Sequence, residues 1–337
     1  MQKKTCIFRF GIKLSLFLIP FIVLILSFVV IDPFMVVKKY KRYTSVLAGL
    51  NADVVSTETY LKNREKRRYN SFIFGNSRAM AYKTAEWKKH LDATDRPYLY
   101  LAFNESLYGL LSKVKFVDQQ KDTLKNALFV IDETLLTQTT DRTDFHLYIK
   151  DPRVTGSSKQ QFYYTFFKAY LSDFFFVKCI DYSLFGKKRA YMKGALDGEG
   201  LYFDPETNDL YPMSQMTARL ADSAAYYSKF RSNGPTLECT EKPDKKVILK
   251  NQEDMLLEMK HILDKQKTDY KIIISPKFNC YTMHPEDLEV LERIFGKNRV
   301  YNFSGSNKYT KDLHNFYDPF HYSMEVGKDI MKKIYEK

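Results

Sequence analysis

The chain has few cysteines and no glycine-rich loop, and each scarcity removes a class of function. Its four cysteines are Cys6, Cys179, Cys239 and Cys280, and no two stand at metal-site spacing. No set of His, Asp and Glu has ligand spacing on one element either, so neither a metal centre nor another cofactor is expected. A phosphate-cradling loop and a dinucleotide fingerprint are both absent, as are internal repeats and low-complexity tracts. The net charge of +13 would suit nucleic acid, but no zinc-finger spacing, Arg-rich tail or aromatic RNA-binding motif accompanies it. Residues 1–68 hold 13 Lys/Arg and 4 Asp/Glu, a net of +9, which leaves +4 of the +13 for the rest of the chain. The excess therefore flanks an apolar run, where it favours anionic lipid head groups over a polynucleotide.

What is present is a chain of 337 residues, 45% of them hydrophobic, with 26 Phe and 25 Tyr. That is enough for one large domain or two ordinary ones with a sizeable core. Residues 14–31 carry no charged side chain and can cross a hydrocarbon core of about 30 Å. Pro20 is tolerated in a membrane helix, with a kink expected there. A cleaved signal peptide is the competing reading. The run is long for one, however, and Asp32-Pro33-Phe34 follows it instead of a small-residue cleavage site. Cys6 precedes the run, so it is not a lipoprotein cysteine. The positive-inside count is a tie, with Lys3, Lys4, Arg9 and Lys13 before the span and Lys38, Lys39, Lys41 and Arg42 after it. The organisation expected is a cytoplasmic segment at 1–13, a signal anchor at 14–33, a basic tether at 34–68 and a main domain at 69–337. That domain would lie outside the cytoplasm. Three of the four cysteines fall in it, so one disulfide at most can form among them, and the sequence does not select the pair.

Within the main domain, strands are expected at 71–74, 98–102 and 127–131, separated by a short helix with Trp87 and an amphipathic helix at 106–120. The order resumes with a helix at 251–266, a strand at 270–275, a helix at 285–295 stopped by Gly296, a strand at 300–303 and a helix at 324–335. Strands alternating with helices predict an α/β fold with a mainly parallel sheet between helical layers, a three-layer sandwich. Residues 137–250 break the pattern and are read as a cap inserted over the sheet. Their aromatic stripe, 162–176, is expected to be core between cap and body. A second membrane-touching surface is the lesser reading, because Lys168 and Asp173 interrupt the stripe.

Two short stretches carry the chemistry. Phe72-Ile73-Phe74-Gly75-Asn76-Ser77-Arg78 reads as a buried strand that ends on a glycine turn with a serine at its tip. In doubly wound sheets, sites lie at such strand ends. A helix beginning there aims N–H groups at an anion beside Ser77, as a tetrahedral oxyanion requires. The bland alternative is a helix N-cap serine. Tyr317-Asp318-Pro319-Phe320-His321 places a carboxylate three residues before an imidazole, on what is read as a turn entering a helix. There Asp318 can hold Nδ1–H of His321 and leave the other nitrogen to act as base. Glu258 and His261 share the spacing but sit on the polar face of a helix. His90, His146, His284 and His314 have no comparable context.

These stretches resemble the blocks of the SGNH (GDSL-like) hydrolase superfamily over about 69–136 and 251–337. Gly75-Asn76-Ser77-Arg78 is similar to the first block, Gly-Asp-Ser-x, and Asp318 to His321 to the last, Asp-x-x-His. The resemblance implies a flavodoxin-like hydrolase fold with Ser77 as nucleophile, His321 as base and Asp318 as its orienter. The loop Ala102-Phe103-Asn104-Glu105-Ser106 stands where the second block offers a glycine N–H. Asn104, which tolerates the left-handed conformation, is the candidate there. Gly75, Asn76 and Arg78 complete the implied oxyanion and substrate contacts. The third block, Gly-x-Asn-Asp, is replaced by Asp132-Glu133-Thr134, so no Asn side chain completes the hole. The expectation is a membrane-anchored esterase or O-acyltransferase. Its substrate would be an acylated envelope glycan or a lipid-linked glycan, with a membrane acyl-transfer protein as its partner. The alternative is a degenerate domain that binds glycan or scaffolds envelope assembly.

Overall fold

The computed structural model describes residues 2–196, 198, 200–233 and 242–336, so Asp197 and Cys239 lie outside the described residues. The described chain divides into two compact units, one of Met1–Leu50 with Tyr163–Glu199, the other of Asn51–Phe162 with Gly200–Lys337.

The second unit is an α/β domain around five parallel strands: β1 Ser71–Gly75, β2 Pro97–Leu101, β3 Asn126–Ile131, β4 Asp269–Ile274 and β5 Val300–Asn302. Their order across the sheet is β2-β1-β3-β4-β5. Alternation along the strands sends Phe72, Phe74, Tyr98, Tyr100, Phe129 and Ile272 into one large core. The helices Leu107–Gln119, Lys250–Lys265 and Pro285–Phe295 contribute their apolar stripes to the same core. The opposite face carries Ile73, Leu99, Leu128 and Ile273, all fully buried. The helix Met324–Tyr335 serves this side, with its Tyr335 ring 4.7 Å from Lys271 Nζ.

The expected tether does not hold as such. Residues Ala52–Arg67 form a helix capped by Asn51, whose side chain accepts from Asp53 N and Val54 N. Tyr60 of this helix is fully buried against the rings of Phe72 and Tyr100. The charges of 62–68 mark the solvent side of a docked helix, and the apolar contacts of its inner side outweigh them.

The proposed cap is not one body. Residues 200–233 belong to the α/β unit, whereas 163–199 group with the N-terminal segment. In that first unit Gln2–Ile31 is one helix that runs through Pro20, and 13–31 within it is long and apolar enough to cross a membrane. The stripe expected between cap and body instead covers the end of this helix. Phe28 lies 5.5 Å from the Phe167 and Tyr170 rings, and Phe34 5.5 Å from Phe166. Apolar rings on two segments of one unit found each other, which no local periodicity specifies.

Candidate active site

In a sheet ordered 2-1-3-4-5 the strand order reverses between β1 and β3, and the crevice lies beyond their C-terminal ends. Ser77 is the residue that β1 delivers there. Gly75 is required because a Cβ would stand 2.5 Å from the Val130 carbonyl oxygen on β3. Asn76 then caps a short 3₁₀ turn, Ser77–Ala81, its side-chain oxygen accepting from Arg78 N at 3.0 Å. That turn is pressed on from below by Gly327 of the last helix, where a Cβ would lie 2.2 Å from the Ala81 carbonyl oxygen. The Ser77 hydroxyl is thus fixed by glycine contacts at both ends of its turn.

The Asp318–His321 stretch does not enter a helix as expected. Phe316–Asp318 and His321–Tyr322 are two short antiparallel strands closed by Pro319-Phe320, and the helix starts only at Met324. Proline at the second position suits a turn. Asp318 Oδ1 accepts from the backbone N–H groups of Phe320 and His321, at 2.8 and 3.0 Å. His321 Nδ1 lies 2.8 Å from Asp318 Oδ2, and His321 Nε2 lies 2.8 Å from Ser77 Oγ. Residues 244 positions apart therefore form one hydrogen-bonded chain from hydroxyl to imidazole to carboxylate. With Nδ1–H donating to Asp318, the Ser77 hydroxyl donates to Nε2, the tautomer a base needs. Asp318 and His321 each retain 23% of their side-chain exposure, so a substrate can reach them.

Electrostatics holds the carboxylate ionised. Partial burial by itself would raise the Asp318 carboxyl, but hydrogen bonds and charge from His321, with Gln215 and the Phe320 backbone, outweigh it and keep it below the ordinary carboxylate value. Gln215 was not foreseen. It lies on the helix Met213–Ala221, inside the former cap, and donates Nε2–H to Asp318 Oδ2 at 2.9 Å. The neighbouring helix adds Tyr226, whose hydroxyl donates to the Tyr317 carbonyl, and Tyr227, which reaches the His314 and Phe316 carbonyls at 3.2 Å. Nothing in the local sequence singles out a glutamine on an amphipathic helix about 100 residues from its partner; only a structure pairs them.

Asn76 and Arg78 are placed differently from the expectation. Asn76 is buried, and its amide nitrogen donates to Asp132 Oδ2 at 2.5 Å while its oxygen caps the turn, so both ends of the side chain are committed. Arg78 pairs with the same Asp132 carboxylate, and its Nε donates to the Phe320 carbonyl at 3.0 Å. Arg78 thereby ties the serine turn to the histidine turn. Asp132, at the end of β3, also caps the next helix through Leu135 N. Burial would raise its carboxyl, but the Arg78 charge and these donors hold it low. Asp132 is therefore a buried anchor for two neighbouring turns. An acidic residue between a strand and a helix was a legible N-cap signal.

Asn104 adopts φ 46°, the left-handed conformation anticipated for the loop after β2. Glu105 pins this loop from inside, paired with buried Lys113 and Lys150. The Ser77 N–H has no hydrogen-bond partner among the described residues. The serine turn thus keeps one free backbone donor, and the left-handed residue follows the end of the adjacent strand, whose Leu101 is in register with Gly75. Phe320, next to His321, is 66% exposed and gives the rim an apolar wall.

Two cysteines among the described residues are set aside by their surroundings. Cys179 is buried in the other unit and its thiol is pushed up to about 12 by that burial, which leaves it unreactive. Cys280 is disulfide-bonded. Among the described residues no group of His, Cys, Asp and Glu is arranged to hold a metal ion. No protein-family model matches the chain, and no curated protein matches it either.

Proposed function

We propose that this protein is a membrane-anchored serine esterase or O-acyltransferase of SGNH type, with a flavodoxin-like three-layer domain. The observation that carries the proposal is the 2.8 Å contact between Ser77 Oγ and His321 Nε2, with Asp318 behind the ring at 2.8 Å. Ser77 Oγ attacks an ester carbonyl and its proton passes to Nε2. The tetrahedral oxyanion is met by the Ser77 N–H and the Asn104 loop. His321 then gives the proton to the leaving alcohol as the C–O bond breaks, which leaves an acyl-serine. Water or a sugar hydroxyl, deprotonated by His321, attacks the acyl-serine and restores the hydroxyl. Asp318 keeps Nδ1–H oriented and offsets the positive ring without taking a proton.

The substrate class proposed is an acyl ester of an envelope glycan, outside the cytoplasmic membrane. The apolar segment 13–31 supports attachment to a bilayer, and the disulfide at Cys280 suits an oxidising compartment. The test is a fluorophosphonate probe on the full-length protein extracted from membranes. Labelling of wild type that Ser77→Ala abolishes is the expected result; a folded wild type that stays unlabelled refutes the assignment.

A second reading rests on the commitment of Asn76 and Asp132. With the Asn76 amide held by Asp132 and a carboxylate at 132, the same cleft would bind an acylated glycan without turning it over. That reading predicts glycan binding that survives Ser77→Ala with no acyl release from wild type.

A further inference from the structure

The aromatic hairpin of the first unit has no role in the proposed chemistry, and its surface is unlike that of the α/β domain. The helices Lys159–Leu171 and Phe175–Phe185 are joined by Ser172–Phe174, of which Asp173 at φ 49° and Phe174 at φ 53° lie in the left-handed region. A bulky residue rarely adopts that conformation, and here it holds the Phe174 ring 72% exposed at the tip. Val177 and Leu184, seven residues apart on one helical face, are exposed with Phe185, Leu184 to 72%. Tyr163, Tyr164 and Tyr191 are exposed as well. Between 163 and 193 there are six Lys/Arg and two Asp, and one of those acids, Asp181, is paired with Arg189 at 2.7 Å.

The inner side of the hairpin fixes its level. Tyr170 donates its hydroxyl to Ser27 Oγ at 3.0 Å, and Phe28 and Phe34 pack on Phe167, Tyr170, Phe166 and Phe175. All these contacts fall on the last turn of the apolar helix and the residues just after it. There the chain turns on Asp32, whose carboxylate accepts from Val36, Val37 and Lys38 N–H. A segment at the end of a spanning helix sits at the head-group boundary, where aromatic rings and basic side chains are favoured.

We infer that the hairpin 163–193 is a second membrane-contact element that lies in the interface, with Phe174, Val177, Leu184 and Phe185 among the acyl chains and the Lys/Arg cluster 187–189 at anionic head groups. This inference rests on the reading of 13–31 as a membrane span, and it would make the attachment a two-point one.

The test uses the full-length protein in nanodiscs of phosphatidylcholine and phosphatidylglycerol whose acyl chains are brominated either near the head group or near the chain end. Three variants each add one tryptophan at an exposed site: Val23→Trp in the span, Phe174→Trp and Leu184→Trp in the hairpin, with the wild-type Trp87 signal subtracted. The expected result is loss of Val23→Trp emission with deep bromine, and loss of Phe174→Trp and Leu184→Trp emission with shallow bromine. Quenching of Val23→Trp alone overturns the hairpin assignment and leaves the span intact. Hairpin tryptophans shielded from aqueous iodide but untouched by bromine also overturn it, in favour of a protein-covered face. If Val23→Trp itself escapes quenching, the span reading fails and the hairpin's level in the bilayer fails with it.

Discussion

Two turns near the C-terminus each hold a histidine against an aspartate, and they differ in what the far side of the ring meets. In one, His314 Nδ1 lies 2.9 Å from Asp312 Oδ1; in the other, His321 Nδ1 lies 2.8 Å from Asp318 Oδ2. The first pair is 56–57% exposed and its imidazole packs on the Tyr227 ring at 4.5 Å. The second is half-buried, its carboxylate takes a further hydrogen bond from Gln215, and its outer nitrogen meets Ser77 Oγ. A carboxylate–imidazole pair is thus cheap to form and uninformative alone. A strand end that delivers a hydroxyl to the free nitrogen makes the pair a candidate base.

The largest effects should come from breaking the pair that meets the serine. Ser77→Ala or His321→Ala is expected to lower ester turnover on the order of a million-fold, as when a triad member is lost elsewhere. Steady-state turnover of a chromogenic acyl ester measures this, with circular dichroism as the check on folding. Asp318→Asn should cost roughly ten-thousandfold in kcat, because the amide leaves the ring in the wrong tautomer.

Next comes the anchor beneath both turns. Asp132→Ala leaves the mostly buried Arg78 guanidinium uncompensated, and a loss of about 3–5 kcal/mol is expected in urea unfolding. If the variant matches wild type in both midpoint and slope, Asp132 is not the anchor described. Gln215→Leu removes one charge-assisted hydrogen bond and should lower kcat roughly tenfold with KM little changed. A purely structural Gln215 would change unfolding and spare kcat.

Acid sharpens the comparison further. Asp318 is held below its ordinary value in the folded protein, so its contribution to stability is full above about pH 4, the unfolded carboxylate range, and is lost as pH falls through the folded value. The difference in Tm between wild type and Asp318→Asn should therefore be widest at neutral pH and shrink on acidification. A gap that widened below pH 4 would contradict the stated direction. The smallest effect should be His314→Ala, with turnover within about twofold of wild type, since an exposed carboxylate–imidazole pair contributes little.

The alternation of strands and helices was legible from periodicity because each element's apolar spacing is a local property. Pro285–Phe295 and Met324–Tyr335 lie where that spacing put them, and the five expected strands appear with ends shifted by a residue or so. Ser77, Asp318 and His321 were legible as candidates because a glycine turn after a buried strand and an acid at i−3 of a histidine are short-range patterns. Three things were hidden. Helix Ala52–Arg67 looked like a tether because its charges outnumber its apolar contacts. Asn76 looked free because nothing local shows that Asp132 would claim its amide. Gln215 and the split of the insertion depended on partners roughly 100 residues away or more.

By itself, then, the sequence determined the residue types, the hydrophobic periods and the turn chemistry, since these depend on neighbours within a few positions. The tertiary structure decided which nitrogen faces which oxygen. It also turned the aromatic stripe toward the end of the apolar helix and made Asp132 an anchor between two turns. Those outcomes depend on long-range packing, in which a side chain's partner is set by the whole fold and not by its own segment.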